Sequence, residues 1–178
     1  LRQGEVLGLT WDCVNFEKQT LLINKQHGKK KGTREYCFSS LKNDRPRVIE
    51  AADGVMDALK KQQLRQQSWA ARLKDGWDNL DNLVFTTETG RYLCNQTVYL
   101  AFKKIVRRLH LDATRFHDLR HTYAVNSLKS GDDIKTVQEN LGHQTAAFTL
   151  DVYAHATNSM KRESANRMDQ YIHSVTKT

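Results

Sequence analysis

The densest set of reactive side chains in the sequence is His117-Asp118-Leu119-Arg120-His121. On a helix, His117, Arg120 and His121 fall at i, i+3 and i+4 and share one face. Three basic side chains make a poor core stripe, so they call for water, a carboxylate or another anion. Such a face can be a solvated surface, a metal site of the His-x-x-x-His kind, or a phosphate clamp in which guanidinium and imidazole donors converge on phosphoryl oxygens. The metal use is the weakest fit, because Asp118 stands where a metalloprotease helix carries glutamate and no catalytic carboxylate precedes it. Further on, Leu141-Gly142-His143 is followed ten residues later by Tyr153. Alone, Tyr153 reads as a half-buried packing residue and His143 as a structural one. What sets them apart is the order His-x-x-Arg, then Gly-His, then Tyr, with Arg2-Gln3-Gly4-Glu5 at the far end of the chain.

These pieces carry a resemblance. Arg2-Gln3-Gly4-Glu5-Val6-Leu7-Gly8-Leu9-Thr10-Trp11, Arg115-Phe116-His117-Asp118-Leu119-Arg120-His121-Thr122, and Leu141-Gly142-His143 through Thr149-Leu150-Asp151-Val152-Tyr153-Ala154-His155 resemble the motifs of the tyrosine recombinase (phage integrase) family, in that family's order and spacing. The likeness is greatest to the integrases of phages and conjugative transposons. It implies that residues 1–178 form a catalytic domain without the N-terminal DNA-binding domains, and that 156–178 is a C-terminal tail able to dock on a neighbouring protomer. It implies roles as well. Arg2 and Arg120 would bind the non-bridging oxygens of the scissile phosphate. His117 would be a phosphate ligand or proton carrier, His143 a donor to the phosphate, and Tyr153 the nucleophile. Lys42 would be the general acid to the leaving 5′-oxygen, with Lys29, Lys30 and Lys31 as rivals. Glu5 would be the acid that orients its neighbours. Lys29, Lys30, Lys31, Arg34 and His121 would touch DNA.

The chemistry explains why such residues belong together. A phenol has a pKa near about 10 and attacks weakly at neutral pH. Surrounding cations favour phenolate and neutralise charge building on pentacoordinate phosphorus. Arginine suits this because its planar fork grips two oxygens and stays charged, and an ammonium can protonate the departing alkoxide. Phosphoryl transfer is mostly positioning and electrostatics, so cationic donors can stand in for a metal. No cofactor and no metal is expected.

The elements that must hold these residues can be read from periodicity. Arg2 to Leu9 carries Val6, Leu7 and Leu9 and suits a short helix. Cys13–Phe16, a polar turn and Thr20–Asn24 suit a hairpin. Gly28-Lys29-Lys30-Lys31-Gly32 reads as a basic loop, Arg34–Ser39 as a third strand, and Arg47-Val48-Ile49, after the single Pro46, as an edge strand. From Asp53 the period becomes helical through Val55, Met56, Leu59, Trp69, Ala70 and Leu73. Leu83-Val84-Phe85 is a brief apolar run that ends in a turn at Thr89-Gly90. Asn95 reads as the cap of a helix with Val98, Ala101, Phe102, Ile105 and Leu109 on one face. On the opposite face Lys103, Lys104, Arg107 and Arg108 suit either DNA or water. Further helices follow: His117 to Ser130, stopped by Gly131; one capped by Asp132 or Asp133 and stopped by Gly142; one from Thr145 to Tyr153; and an amphipathic stretch with Met160, Met168, Tyr171 and Ile172. The fold class is α+β, mostly helical, with a small antiparallel β-sheet near the N-terminal half.

Composition sets the outer bounds. The 178 residues suit one domain, and 39% hydrophobic with 27% charged is globular rather than disordered. Twenty-eight Lys and Arg against 20 acids give a net charge of +8, in the range of nucleic-acid binders. No apolar run approaches the roughly 20 residues of a membrane span, and no secretory leader opens the chain. Cys13, Cys37 and Cys94 are too few and too scattered for a disulfide framework, which points to the cytoplasm. The start at Leu1, without methionine, leads us to expect a piece of a longer protein. Expected partners are double-stranded DNA attachment sites and further copies of the chain, as a tetramer, with an accessory directionality factor as a further partner and no membrane. Two other functions share the sequence evidence. A type IB-like topoisomerase would use the same chemistry, and a non-enzymatic helix-turn-helix regulator would use the helix pair around Ser130-Gly131-Asp132-Asp133.

Overall fold

The computed structural model describes residues 1–30, 32–33, 35–41, 45–142 and 158–176, which form two compact units, Leu1–Asp118 and Leu119–Thr178. The first opens with a short helix α1 (Gln3–Leu7) and a 3-10 turn at Trp11–Cys13. Five short strands follow, β1 (Val14–Asn15), β2 (Thr20–Ile23), β3 (Gln26–Lys29), β4 (Tyr36–Ser39) and β5 (Arg47–Glu50), then the long helix α2 (Asp53–Leu73) and helix α3 (Asn95–Arg108). All pairings are antiparallel, but the strands divide between two sheets, β1-β2-β5 and β3-β4. Alternation explains the first sheet: Leu21 and Ile23 of β2 are buried while Leu22 between them faces out. They join Leu9, Leu41, Met56, Leu59 and Val84 in the main core, so α2 covers the sheet with the face its periodicity marks out.

Gln66 of α2 is buried in this core and fully used. It accepts from the Trp11 indole (2.8 Å) and donates to the Leu83 and Val84 carbonyls and to Thr86 Oγ1, each at 3.0 Å. It thereby ties α2 to the apolar run at 83–85, whose Leu83 also bridges to Thr10.

Two sequence expectations change here, and one lysine gains a role. Gly28 and Lys29 are not loop residues; they complete β3 opposite Cys37 and Tyr36. The cap position of α3 belongs to Cys94, whose thiol lies 3.0 Å from Thr97 Oγ1, and Asn95 is the first helical residue. Lys103 also has a structural use: its ammonium donates to the Asp112 and Thr114 carbonyls and so fastens the loop after α3.

In the second unit, α4 (Asp118–Lys129), which begins at the boundary, and α5 (Ile134–Leu141) enclose a small core of Ala124, Leu128, Val137 and Leu141, with Ile134 packed against it. Asp133 caps α5 by accepting the Lys135 and Thr136 amides (2.8 and 3.0 Å). Gly142, at φ +67°, ends it in the left-handed conformation that favours glycine. Helix α6 (Asn158–Thr176) carries Met168, Tyr171, Ile172 and Val175 exposed. Among the described residues no helix is long and apolar enough to cross a membrane.

Candidate active site

The first unit brings Arg2, Glu5 and Arg47 together. Arg2 is the residue before α1, and Glu5 lies in its first turn. Glu5 Oε2 accepts the Arg2 backbone N–H at 2.8 Å, the carboxylate half of a capping box. The same carboxylate receives the Arg2 guanidinium at 3.3 Å and two donors of the Arg47 guanidinium, at 2.8 and 3.3 Å. Glu5 is 1% exposed. Such burial would by itself raise its pKa, but the Arg47 hydrogen bond, the Arg2 amide and the two positive charges together hold the carboxyl below its ordinary range. It is therefore a carboxylate at neutral pH.

The backbone that carries this cluster is placed by glycines. A Cβ on Gly8 would lie 2.7 Å from the His27 amide nitrogen and 2.9 Å from backbone atoms of Gln26, so α1 can approach β3 this closely only without a side chain there. Gln3 reaches the other way and donates to the Asn95 carbonyl at the start of α3 (3.2 Å). Below α1, His27 of β3 sits 3% exposed in an aromatic cage, its ring 5.2 Å from both Phe38 and Tyr92 and 5.7 Å from Tyr36. Burial pushes its pKa down against an opposing pull from Asp81, so His27 is neutral at physiological pH.

His117 is exposed in the turn before α4, a turn closed by the Arg115 amide donating to Asp118 Oδ2 (2.8 Å) and by the Arg115–Asp118 ion pair. On α4 itself Arg120 is 5% exposed and His121 half-buried. Arg120 donates to the Leu141 carbonyl, at the last residue of α5, immediately before Gly142-His143. Lys29 and Lys30 are exposed, the first at the end of β3 and the second in the hairpin turn, where its amide donates to the Glu35 carbonyl (2.8 Å). Lys31, Arg34, Lys42, His143 and Tyr153 lie outside the described residues, as does the helix expected from Thr145. Among the described residues no group of three or more His, Cys, Asp or Glu is placed to hold a metal ion.

Residues 1–160 match the phage integrase family. The chain belongs to that family. A tyrosine recombinase XerC-like protein of Caldanaerobacter subterraneus subsp. tengcongensis is 31% identical to it over 182 residues, covering 95% of this chain and 46% of the relative. A tyrosine recombinase XerD of Corynebacterium glutamicum is 28% identical over 163 residues, covering 91% of this chain and again 46% of the relative. The chain thus spans about half the length of the curated relatives it matches. Among solved structures, the Tn1549 transposon integrase in complex with a circular-intermediate DNA superposes with a TM-score of 0.73 at 23% identity, over 94% of this chain and 54% of that one. The XerH recombinase bound to its difH substrate gives 0.59 at 23%, over 94% and 42%. The expected fold, a mostly helical phage integrase catalytic domain with antiparallel strands in its N-terminal half, is the fold observed.

Sequence reasoning missed one residue of this integrase-family cluster. Arg47 was read only as the start of an edge strand. A signal was present: on β5 it shares a face with Ile49, which packs on the core, while Val48 between them is 62% exposed. An arginine on the core-facing side of a strand needs a carboxylate.

Proposed function

We propose that the chain cuts and rejoins DNA strands as the catalytic domain of a site-specific tyrosine recombinase that integrates or excises a mobile element. The observation that carries this function is that all three motifs, with Arg2, His117, Arg120, His143 and Tyr153, lie inside the stretch 1–160 that matches the family. Arg2 and Arg120 hold the scissile phosphate, His117 and His143 donate to it, Tyr153 attacks, and Lys42 protonates the leaving 5′-oxygen to give a 5′-hydroxyl. The product is a 3′-phosphotyrosyl link, which stores the bond's energy, so neither ATP nor a metal is needed. Lys29, Lys30, Lys31, Arg34 and His121 contact the duplex, and removing a backbone contact of this kind weakens binding without changing sequence preference. The partner is duplex DNA carrying paired attachment sites, on which the chain assembles as a homotetramer in the cytoplasm with an accessory directionality factor. Residues 156–178 dock on a neighbouring protomer, and the exposed apolar side chains of α6 support that role.

The family match and the DNA-bound structural neighbours support strand transfer over a helix-turn-helix regulator. The test is trapping on nicked duplexes in EDTA, where loss of the short 5′-hydroxyl strand prevents religation. A covalent adduct is expected from the wild type and none from Tyr153→Phe. Sequence-specific binding without an adduct would favour the regulator. Relaxation of supercoiled DNA without recombination would favour a topoisomerase.

A further inference from the structure

Strands β3 and β4 form a sheet of their own, apart from β1-β2-β5. Two strands alone are marginally stable in water, so such a hairpin must lean on its neighbours. His27 takes part in both of its supports. Through its backbone it meets α1: a Cβ at Gly8 would lie 2.7 Å from the His27 amide nitrogen, and a Cβ at Gly4 would lie 3.3 Å from the His27 carbonyl oxygen. Through its ring it meets Tyr92, in the segment before α3, at 5.2 Å between centroids. Phe38, directly across the ladder, and Tyr36 complete the cage, and Tyr36 stacks on Tyr92 at 5.0 Å. The far end of the same hairpin exposes Lys29 and Lys30.

We infer that uncharged His27 is a positioning residue that anchors the basic hairpin to α1 and to the segment before α3, and that a proton on its ring loosens the hairpin, so that acid weakens the grip of Lys29 and Lys30 on DNA. This rests on the proposed function, in which those lysines contact the duplex. The argument starts from the ring. His27 is 3% exposed, and its Nδ1 is buried with no hydrogen-bond partner. A neutral imidazole tolerates this, because Nδ1 can be the nitrogen that carries no hydrogen. An imidazolium does not: both nitrogens become donors, and the Nδ1–H is stranded among three aromatic rings. The ionisable groups about the ring are Tyr36, Tyr92 and Asp81, while α1 faces it with Gly4 and Gly8. Lys25 lies over the Phe38 ring at 5.0 Å, so the cage also has a cation beside it. Asp81 attracts a proton to His27, but burial opposes it more strongly and holds the pKa below the ordinary 6.5. The free energy that keeps the ring neutral is therefore lost from the anchor when the ring is protonated. At the marginal stability of a two-stranded sheet, a modest penalty releases an appreciable fraction of hairpins. The sign is opposite to that of simple electrostatics, in which acid adds positive charge and strengthens attraction to phosphate.

The test compares the 178-residue chain with its His27→Phe, Lys29→Gln/Lys30→Gln and triple variants at about pH 5.5 and 7.5, on either side of the histidine range. Amide hydrogen exchange reads the hairpin, and the anisotropy of a labelled random-sequence duplex at constant salt reads the grip. In the wild type the β3–β4 amides should be less protected than those of β2–β5, the mark of a local opening. Their protection, corrected for intrinsic exchange, should fall at the lower pH, and in His27→Phe that fall should be absent. Acidification should raise duplex affinity at least about twofold more in His27→Phe than in the wild type. The gap should vanish when Lys29→Gln/Lys30→Gln is added to both. Should His27→Phe fail to fold, His27→Leu takes its place in both comparisons. A histidine of merely structural value is uncovered only by global unfolding, which gives β3–β4 and β2–β5 equal protection. That result, an acid fall that persists in the folded His27 variant, or equal affinity gains in the two proteins overturns the anchor. Lys29→Gln/Lys30→Gln binding as tightly as the wild type at about pH 7.5 overturns instead the DNA contact beneath it, and with it the acid effect on binding, whatever the exchange shows.

Discussion

Gly8→Ala isolates how closely α1 must approach β3. The backbone at Gly8 has φ −92°, which alanine adopts without strain, so the substitution probes space alone. The added methyl would meet the His27 nitrogen at 2.7 Å and the Gln26 carbonyl carbon and Cα at 2.9 Å. Carbon contacts settle at about 3.5–4.0 Å, so relief needs roughly 1 Å of separation. No side-chain rotation supplies it, because every atom met belongs to backbone. Overpacking of this kind costs about 1–3 kcal/mol. Gly4→Ala is the matched control. Its methyl would meet the His27 carbonyl oxygen at 3.3 Å and the Gln26 side chain at 3.4 and 3.5 Å. A shift of a few tenths of an ångström relieves that, and alanine gains about 0.5–1 kcal/mol over glycine inside a helix. Urea unfolding should therefore show Gly8→Ala destabilised by about 1–3 kcal/mol and Gly4→Ala near neutral. Because α1 carries Glu5 and follows Arg2, Gly8→Ala should also slow adduct formation by up to about 10²-fold in the protein that remains folded. Gly8→Ala as stable as the wild type, or Gly4→Ala the more damaging of the two, would refute the close-approach argument.

Other substitutions probe the remaining supports. Gln66→Leu takes the acceptor from the Trp11 indole and the donor from Thr86 Oγ1, while the Leu83 and Val84 carbonyls keep Asn79 and Gln62, and should cost about 1–3 kcal/mol by urea denaturation. Leu128→Ala opens a cavity in the small core between α4 and α5 and should cost about 2–5 kcal/mol. Glu5 has a folded pKa below its ordinary 4.5, so its contribution is fully present above that value and is lost as pH falls through the folded pKa. Glu5→Gln should flatten that acid limb of the stability-pH curve. His27 has a folded pKa below its ordinary 6.5, so the unfolded chain takes up the proton first and stability declines as pH falls below 6.5. His27→Phe, which suits the cage of Tyr36, Phe38 and Tyr92, should remove that decline, as thermal unfolding between pH 5 and 8 (about the range in which histidine titrates) would show.

Most elements were legible because their signals are local. The i, i+3, i+4 pattern marks α2 and α3, although α3 buries Val106 and leaves Ala101, Ile105 and Leu109 of the expected stripe exposed; Gly131 and Gly142 end α4 and α5, and Asp133, one of two candidates, caps α5. The roles proposed for Arg2, His117 and Arg120 come from resemblance alone; the structure shows Glu5 in contact with Arg2. What local pattern does not encode is pairing across distance. Arg47 meets Glu5 across 42 positions, and Gln66 meets Trp11 across 55. Lys103 shows the same blindness from the other side. Its charge and helical position suit DNA or water alike and give no sign of the carbonyls nine and eleven residues downstream that its ammonium reaches. The strand limit at Gly28-Lys29 was missed because glycine and lysine read as loop, whereas pairing with Cys37 and Tyr36 extends β3 through them.

The central proposal is that the Tyr153 hydroxyl of this chain attacks DNA. The most direct measurement is mass spectrometry of the protease-digested adduct from a nicked duplex, formed in EDTA. A peptide carrying a nucleotide through a 3′-phosphotyrosyl bond at Tyr153 is the predicted result. The same mass on Tyr171, on a serine, or on no peptide at all would contradict it.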